Sequence, residues 1–218
     1  MLAFYRSTIG KKILMAVSGI IGIIFLILHM AGNLQIFEGA AKINAYGATL
    51  HGPLAEVVLL ERVVLIVAVL VHVLMAWQLT QRARAARPDA YVQRHTQVAT
   101  VASRTMRIGG ILLLLFIPFH ILHFTTGTIR PAGTYVEGDI YANVVAGFRV
   151  PWVTAFYVAS MIALGLHLYH GVWSSARTLG FAPPSRFPLH RRVALVLSVV
   201  LWLGFTIVPV AIAAGWVR

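Results

Sequence analysis

Long apolar runs separated by short basic segments are the main pattern along the chain. A helix needs about 20 mostly apolar residues to cross a bilayer, and five runs reach that length. The predicted spans are residues 13–33, 57–79, 108–126, 150–174 and 193–214. The first is longer than the apolar core of a signal peptide and has no convincing small-residue cleavage site, so we expect it to be retained. The pattern predicts an all-α membrane protein with five transmembrane helices in one domain, residues 1–218.

The charge of the chain modifies this prediction only slightly. The sequence is 59% hydrophobic and 11% charged, with a formal net charge of +12. Such a charge suggests nucleic acid as a partner, but the basic residues fall in short segments between apolar runs rather than on one polar face. Membrane topology explains them better, and no nucleic-acid partner is expected.

The basic residues predict the orientation of the helices. Thirteen of them lie in segments on one side of the predicted bundle: Arg6, Lys11, Lys12, Arg82, Arg84, Arg87, Arg94, Arg104, Arg107, Arg177, Arg186, Arg191 and Arg192. Because cytoplasmic segments are enriched in lysine and arginine, the amino terminus is predicted to be cytoplasmic and the carboxyl terminus outside. The protein is expected in the cell membrane as a multi-pass protein.

Three connections are too long to be simple turns. On the basic side, residues 91–103 are predicted to form a helix along the membrane interface. On the other side, residues 34–56 and 127–149 are expected to cap the bundle.

The chain has no cysteine. This excludes disulfides, thiolate-bound iron–sulfur clusters and covalent haem attachment through a C-x-x-C-H motif. A redox centre would need other donors, of which the histidines inside the spans suit haem iron best; Met30 and Met75 are weaker alternatives.

Six of the nine histidines lie within predicted spans: His29, His72, His120, His123, His167 and His170. Each is a functional candidate, because an ionisable side chain in a membrane must find a partner away from water. The plain alternative for any one of them is a neutral imidazole bonded to a neighbouring helix. His51, His95 and His190 lie in predicted loops, where a surface role is the simpler interpretation.

The spacing of the intramembrane histidines predicts two levels. His72 and His167 each lie ten residues before an arginine that ends the span, at the same depth of about 15 Å. His29, His120 and His123 lie deeper, at roughly 20–25 Å. Four helices that supply histidines at two depths are what two stacked b-type haems require, each iron being held by two imidazoles from opposing helices.

Several segments resemble a known family. The runs KKILMAVSG, LHMAGNLQIF, VHVLMAW, RIGGILLLLFIPFHILHF and LHLYHGVWSSARTLGF are similar to the single-chain, five-helix, two-haem cytochrome b membrane subunit of succinate dehydrogenases and fumarate reductases. The resemblance covers roughly Ser7 to Phe181, and the fifth helix matches only by its presence and hydrophobicity. Its most specific parts are H-x-x-x-G-[LV]-W-S and the distance from arginine to histidine in the third span.

The resemblance implies four axial ligands to haem iron. They fall on His29, His72, His120 and His167, with His72 and His167 holding an inner haem and His29 and His120 an outer haem. Depth alone slightly favours His123 over His120, whereas the family spacing from Arg107 favours His120; Pro118 can shift these depths by kinking the span. The fourth span has a second histidine, His170, so the assignment of its axial ligand to His167 stays open.

The resemblance also implies a function. Such a subunit anchors a flavoprotein subunit and an iron–sulfur subunit at the cytoplasmic face and passes electrons through two haems b to a membrane quinone, here expected to be menaquinone. It does not itself contain the dicarboxylate site. The direction of the reaction and the oligomeric state stay open. So does the quinone site, for which Lys12, Ser18, Glu56 and Glu61 are candidates.

Two other functions fit parts of the pattern. The diheme cytochrome b subunit of a formate dehydrogenase or hydrogenase also joins histidine-bound haem to quinone, but H-x-x-x-G-V-W-S and H-M-A-G-N argue against it. A proton-coupled transporter could use histidines as a relay. Transporters commonly show inverted repeats and broken helices, and the sequence has neither.

Overall fold

A computed structural model describes residues 2–86 and 100–218. The helices are α1 (Leu2–Arg6), α2 (Thr8–Leu34), α3 (Ala40–His51), α4 (Ala55–Ala85), α5 (Val101–His120), α6 (Ile140–Phe148), α7 (Pro151–Thr178) and α8 (Phe187–Ala213). Five of them, α2, α4, α5, α7 and α8, are long and apolar enough to cross a membrane. The prediction of five spanning helices is confirmed, although each helix extends beyond the predicted span at one or both ends.

Helix α7 is central in the bundle. It packs against α8 on one side and α5 on the other, and also contacts α2, which in turn packs against α4. The outward faces are apolar: Leu60 and Leu70 of α4 are 65% and 64% exposed. Such faces suit contact with lipid. In a bilayer, apolar side chains gain little by being buried inside the bundle, so they can remain on its outer surface.

The basic end of the bundle is the end formed by the start of α2, the end of α4, the start of α5, the end of α7 and the start of α8. Here Lys11 is almost fully buried and donates to the side-chain oxygen of Gln78. Arg82 donates to the hydroxyl of Thr8 at 3.1 Å. These bonds join the start of α2 to the end of α4, so the two helices run antiparallel and bring their basic segments to the same end.

The opposite end is covered by α3 and α6. Asn44 of α3 donates to the Asp139 carboxylate at 3.0 Å and accepts from the backbone N–H of Tyr141 at 3.0 Å. Gly47 allows close packing, since a Cβ there would lie 2.2 Å from Ile140. The two long connections therefore form a cap, as expected. The predicted interface helix at 91–103 falls mainly outside the described residues; its last three residues belong to α5.

Asp139 makes this cap sensitive to acid. Its carboxylate accepts from the backbone N–H of Ala142 and from Asn44, and both bonds hold the pKa below its ordinary value near 3.8. The ionised form is favoured in the folded cap, so its contribution to stability is present above that ordinary pKa and is lost as pH falls through the lower folded value.

We expect Asp139→Asn to leave α6 capped at pH 7 and to remove part of the acid dependence of the cap, because the amide oxygen can accept the same hydrogen bonds but does not titrate. The carboxylate is partly exposed and screened by solvent, so the loss of stability at pH 7 should stay below the roughly 0.5 kcal/mol that is the lower limit for replacement of an N-cap residue by alanine. Amide hydrogen exchange of residues 140–148, corrected for intrinsic rates at each pH, measures it. Glu137→Gln is the matched control, and an equal effect of that change would contradict the assignment.

Candidate functional site: two histidine pairs

Four long helices bring histidines together as two pairs. The ring centres of His72 on α4 and His167 on α7 are 6.0 Å apart. Those of His29 on α2 and His120 on α5 are 5.7 Å apart. The histidines that were predicted to lie at the same depth are therefore neighbours in the structure.

Two glycines show how far apart the two pairs lie along the helix axes. A Cβ on Gly19 of α2 would lie 3.2 Å from the His72 ring, and a Cβ on Gly110 of α5 would lie 3.9 Å from the His167 ring. His29 and His120 each follow those glycines by ten residues. On both helices this spacing corresponds to a rise of about 15 Å. The pair His29–His120, called the outer pair, therefore lies about 15 Å along the helix axes from the pair His72–His167, called the inner pair.

The ring of His72 is oriented by α2. Its Nδ1 lies 3.0 Å from the backbone oxygen of Met15 and 3.3 Å from the Ser18 hydroxyl. A carbonyl oxygen can only accept, so the bond to Met15 requires the proton on Nδ1 and leaves Nε2 as the free lone pair. Fixing one ring nitrogen in this way is typical of histidines that bind metal through the other. Ser18, which the sequence offers as a candidate for a quinone contact, lies within hydrogen-bond distance of this ring.

His167 has a buried nitrogen without a partner. Its Nδ1 forms no hydrogen bond within the described part of the protein, although it is shielded from solvent. His170 is three residues further along α7 and is turned about 60° around the helix from His167. It therefore does not share the direction in which His167 meets His72.

The outer pair is enclosed by aromatic side chains. His120 Nδ1 lies 3.3 Å from the Tyr157 hydroxyl of α7, and His29 stacks on Phe25 and contacts Phe205 of α8. The Nε2 atom of His29 lies 3.4 Å from the Asn33 amide nitrogen, a distance at which a hydrogen bond is weak. His29 can bind a metal ion through Nε2 only if the Asn33 amide rotates away from that nitrogen.

His123 is directed elsewhere. A π-helical turn, residues Ile121–Thr125, follows Pro118 in the third span. Such a turn widens the helix by one residue and changes the direction of the side chains that follow. His123 is buried against Phe124, with ring centres 3.8 Å apart, and against Gly147 of α6. The ring that faces His29 is that of His120.

The ring separation within each pair matches that expected for two axial ligands of one haem iron. Two axial nitrogens on one iron lie about 4 Å apart, since a metal–histidine bond is about 2 Å, and their ring centres are therefore roughly 6 Å apart. Both pairs have that separation. Glycines add open space: a Cβ on Gly22 or on Gly171 would meet no atom within 4 Å.

Other residues of the site are visible only in the structure. Tyr157 is 5% exposed and lies between His120 and His123, 3.3 Å and 3.2 Å from their Nδ1 atoms. One sequence signal could have found it, since Tyr157 precedes His167 by ten residues, the same step that separates the two levels on α2 and α5. Lys11, rather than the candidate Lys12, is the buried lysine.

The remaining histidines take no part in the pairs. His51 and His190 each bond through Nδ1 to a backbone oxygen of their own helix or of its cap, and His95 lies outside the described residues. Within residues 2–86 and 100–218, no group of three or more histidine, cysteine, aspartate or glutamate side chains is placed to hold a metal ion.

No family model, curated protein or solved structure matches this chain. The similarity to cytochrome b subunits therefore rests on the sequence motifs alone.

Proposed function

We propose that this protein is the membrane anchor and electron-transfer subunit of a succinate:quinone oxidoreductase. The observation that carries the proposal is the presence of two histidine pairs, each with ring centres about 6 Å apart, at two levels of a bundle of spanning helices. A transporter relay would not require paired rings at this separation on opposing helices.

The residues present fit two haems b. His72 and His167 would hold the inner group, and His29 and His120 the outer group. The free Nε2 of His72, the unpartnered Nδ1 of His167 and the open space at Gly22 and Gly171 support this assignment. Once bound, the haems would supply a path for single electrons between an iron–sulfur cluster and a quinone.

The protein's own contribution is orientation and exclusion of water. The Met15 carbonyl and Ser18 hold the ring of His72, and the Tyr157 hydroxyl holds that of His120. Hydrogen bonds to the second ring nitrogen raise ligand basicity and restrict rotation. Phe25, stacked on His29, keeps the outer pair in an apolar environment.

The basic end is proposed to face the cytoplasm and to bind the partners. None of the five acidic residues in the described part of the chain lies there; they are Glu38, Glu56, Glu61, Glu137 and Asp139. A surface of one sign attracts partners of opposite charge and suppresses others. We propose a flavoprotein and an iron–sulfur subunit as these partners and menaquinone as the electron carrier, on the strength of the sequence resemblance.

Haem content is the direct test. We expect about two haems b per chain from the pyridine haemochrome assay on protein purified from cells supplied with haem precursors, and no haem covalently attached. A folded, helical protein without the visible spectrum of haem would refute the proposal.

The nature of the partner is a separate test. Purification in mild detergent is expected to retain a flavin-containing subunit together with an iron–sulfur subunit, and to support succinate-dependent reduction of the haems. A molybdenum- or nickel-containing partner in place of the flavoprotein would instead favour a formate dehydrogenase or hydrogenase.

A further inference from the structure

An arginine–tryptophan cluster joins α7 and α8 at the basic end. The guanidinium carbons of Arg177 and Arg191 lie 5.3 Å and 5.0 Å from the centre of the Trp173 ring. Phe187 meets that ring edge-on at 5.0 Å and is 5.1 Å from Arg177. Two cations are therefore held against one indole.

Among residues 2–86 and 100–218, no carboxylate pairs with this cluster. The one ion pair in residues 2–86 and 100–218 is Lys42–Glu38, at the opposite end. Contact with the face of an indole ring does not use the N–H donors of a guanidinium group. An oxyanion with several acceptor oxygens would both neutralise the cluster and use these donors.

A groove lies between α5 and α7 on the outer surface of the bundle. It has a volume of about 200 Å³ and is lined by small residues, among them Gly109, Ala159 and Ala163. Two of its other lining residues, Ile108 and Ile162, are 76% and 49% exposed. The groove therefore opens toward the surrounding membrane, and its lining is predominantly apolar.

The groove and the cluster lie on the same face of α7. Ile162, Leu166, Trp173 and Arg177 follow one another at steps of four, seven and four residues, which keeps them within about 60° around the helix. Leu166 in the groove is about 10 Å along the axis from Trp173. The apolar groove and the cationic, aromatic cluster thus follow one another along one face of α7.

We propose that the α5–α7 groove and the Arg177–Trp173–Arg191 cluster form one binding site for a phospholipid with an anionic headgroup. The phosphate lies on the two guanidinium groups, and an acyl chain lies in the groove. Arginine pockets between spanning helices are suited to such headgroups, and tryptophan is favoured at the level where headgroups lie.

The groove favours phospholipid over the other sources of negative charge. Free phosphate would use the arginines but not the apolar slot. An acidic protein would cover the arginines at the basic end of the bundle but would not enter a groove that opens sideways to the membrane. His167 of the inner pair also lines the groove, but none of the four cluster residues belongs to the histidine pairs, so the arginine variants test the lipid site separately from the proposed electron-transfer function.

Native mass spectrometry of the detergent-purified protein tests the site. The probes are phosphatidylglycerol, phosphatidylcholine with the same acyl chains, and inorganic phosphate. We expect phosphatidylglycerol to bind at least about tenfold more tightly than phosphatidylcholine, and Arg177→Gln with Arg191→Gln to remove that preference. Arg186→Gln with Arg192→Gln is the control, since it removes the same charge nearby and should leave the preference intact.

The acyl-chain part of the site has its own variant. Gly109→Leu fills the groove and should weaken the binding of both phospholipids by a similar factor. Gly109→Ala should leave their binding unchanged, because the added Cβ would make an ordinary contact 3.8 Å from Ala163. Equal affinity for the two phospholipids, an equal effect of the control pair, or displacement of phosphatidylglycerol by inorganic phosphate would each overturn the proposal. So would a double variant that keeps the lipid preference but no longer binds the iron–sulfur subunit, which would assign the surface to that partner.

Discussion

Alanine in place of His167 is expected to remove one of the two proposed haems, whereas alanine in place of His170 should leave both. Only His167 meets a histidine of an opposing helix, with ring centres 6.0 Å apart. His72 and His167 would hold the inner haem together, so loss of either imidazole would leave the group attached to one helix only. The haemochrome value should fall from about two per chain to about one.

His72→Ala is the matched variant for this prediction. It removes the other member of the same pair and should produce the same loss, with the same remaining haem by redox titration. Loss of a haem in His170→Ala together with full retention in His167→Ala would show that the inner ligand is wrongly assigned. Circular dichroism separates these outcomes from unfolding, because the spanning helices keep their signal.

Alanine at His120 is expected to remove the other haem, whereas alanine at His123 should retain both. The His120 ring lies 5.7 Å from that of His29, while His123 is packed between Phe124 and Gly147. His123→Ala leaves a cavity under α6 and should cost stability instead, about 2–5 kcal/mol if it behaves as a large-to-small core change. Haem content and thermal unfolding measure the two effects on one preparation.

This pair of variants also tests the role of the π-helical turn. If the third span continued as a regular α-helix, His123 would lie only about 60° around the helix from His120, and His123→Ala would then be expected to lose haem as well. His29→Ala should behave as His120→Ala does. A double variant of His29 and His120 should lose no more haem than either single one, since both act on one site.

Much of the fold follows from hydropathy. Five apolar runs predicted five spanning helices because each backbone polar group in lipid must be satisfied within its own segment. Helix ends were predicted less well: α4 continues to Ala85, past the predicted end at 79, because polar residues continue a helix once it leaves the apolar region. The cap helices α3 and α6 were expected only as connections of unspecified structure.

The arrangement of the candidate site was predicted in part. Equal numbers of residues from a basic end placed His72 level with His167, because a straight helix rises by a constant amount per residue. The same counting slightly favoured His123 over His120 as the partner of His29, whereas the ring beside His29 is that of His120. Their order depends on how Pro118 and the π-helical turn redirect the span, and that depends on packing against Tyr157 and α6.

Sequence alone determined the number of spanning helices, the position of the basic segments and the two depths at which histidines occur, because these depend on hydropathy and on a fixed rise per residue. The tertiary structure decided which histidine faces which, which lysine is buried, and that the arginines of α7 and α8 meet on one tryptophan below a groove. Those features depend on rotation about helix axes and on contacts between helices distant in the chain, to which a one-dimensional pattern is insensitive.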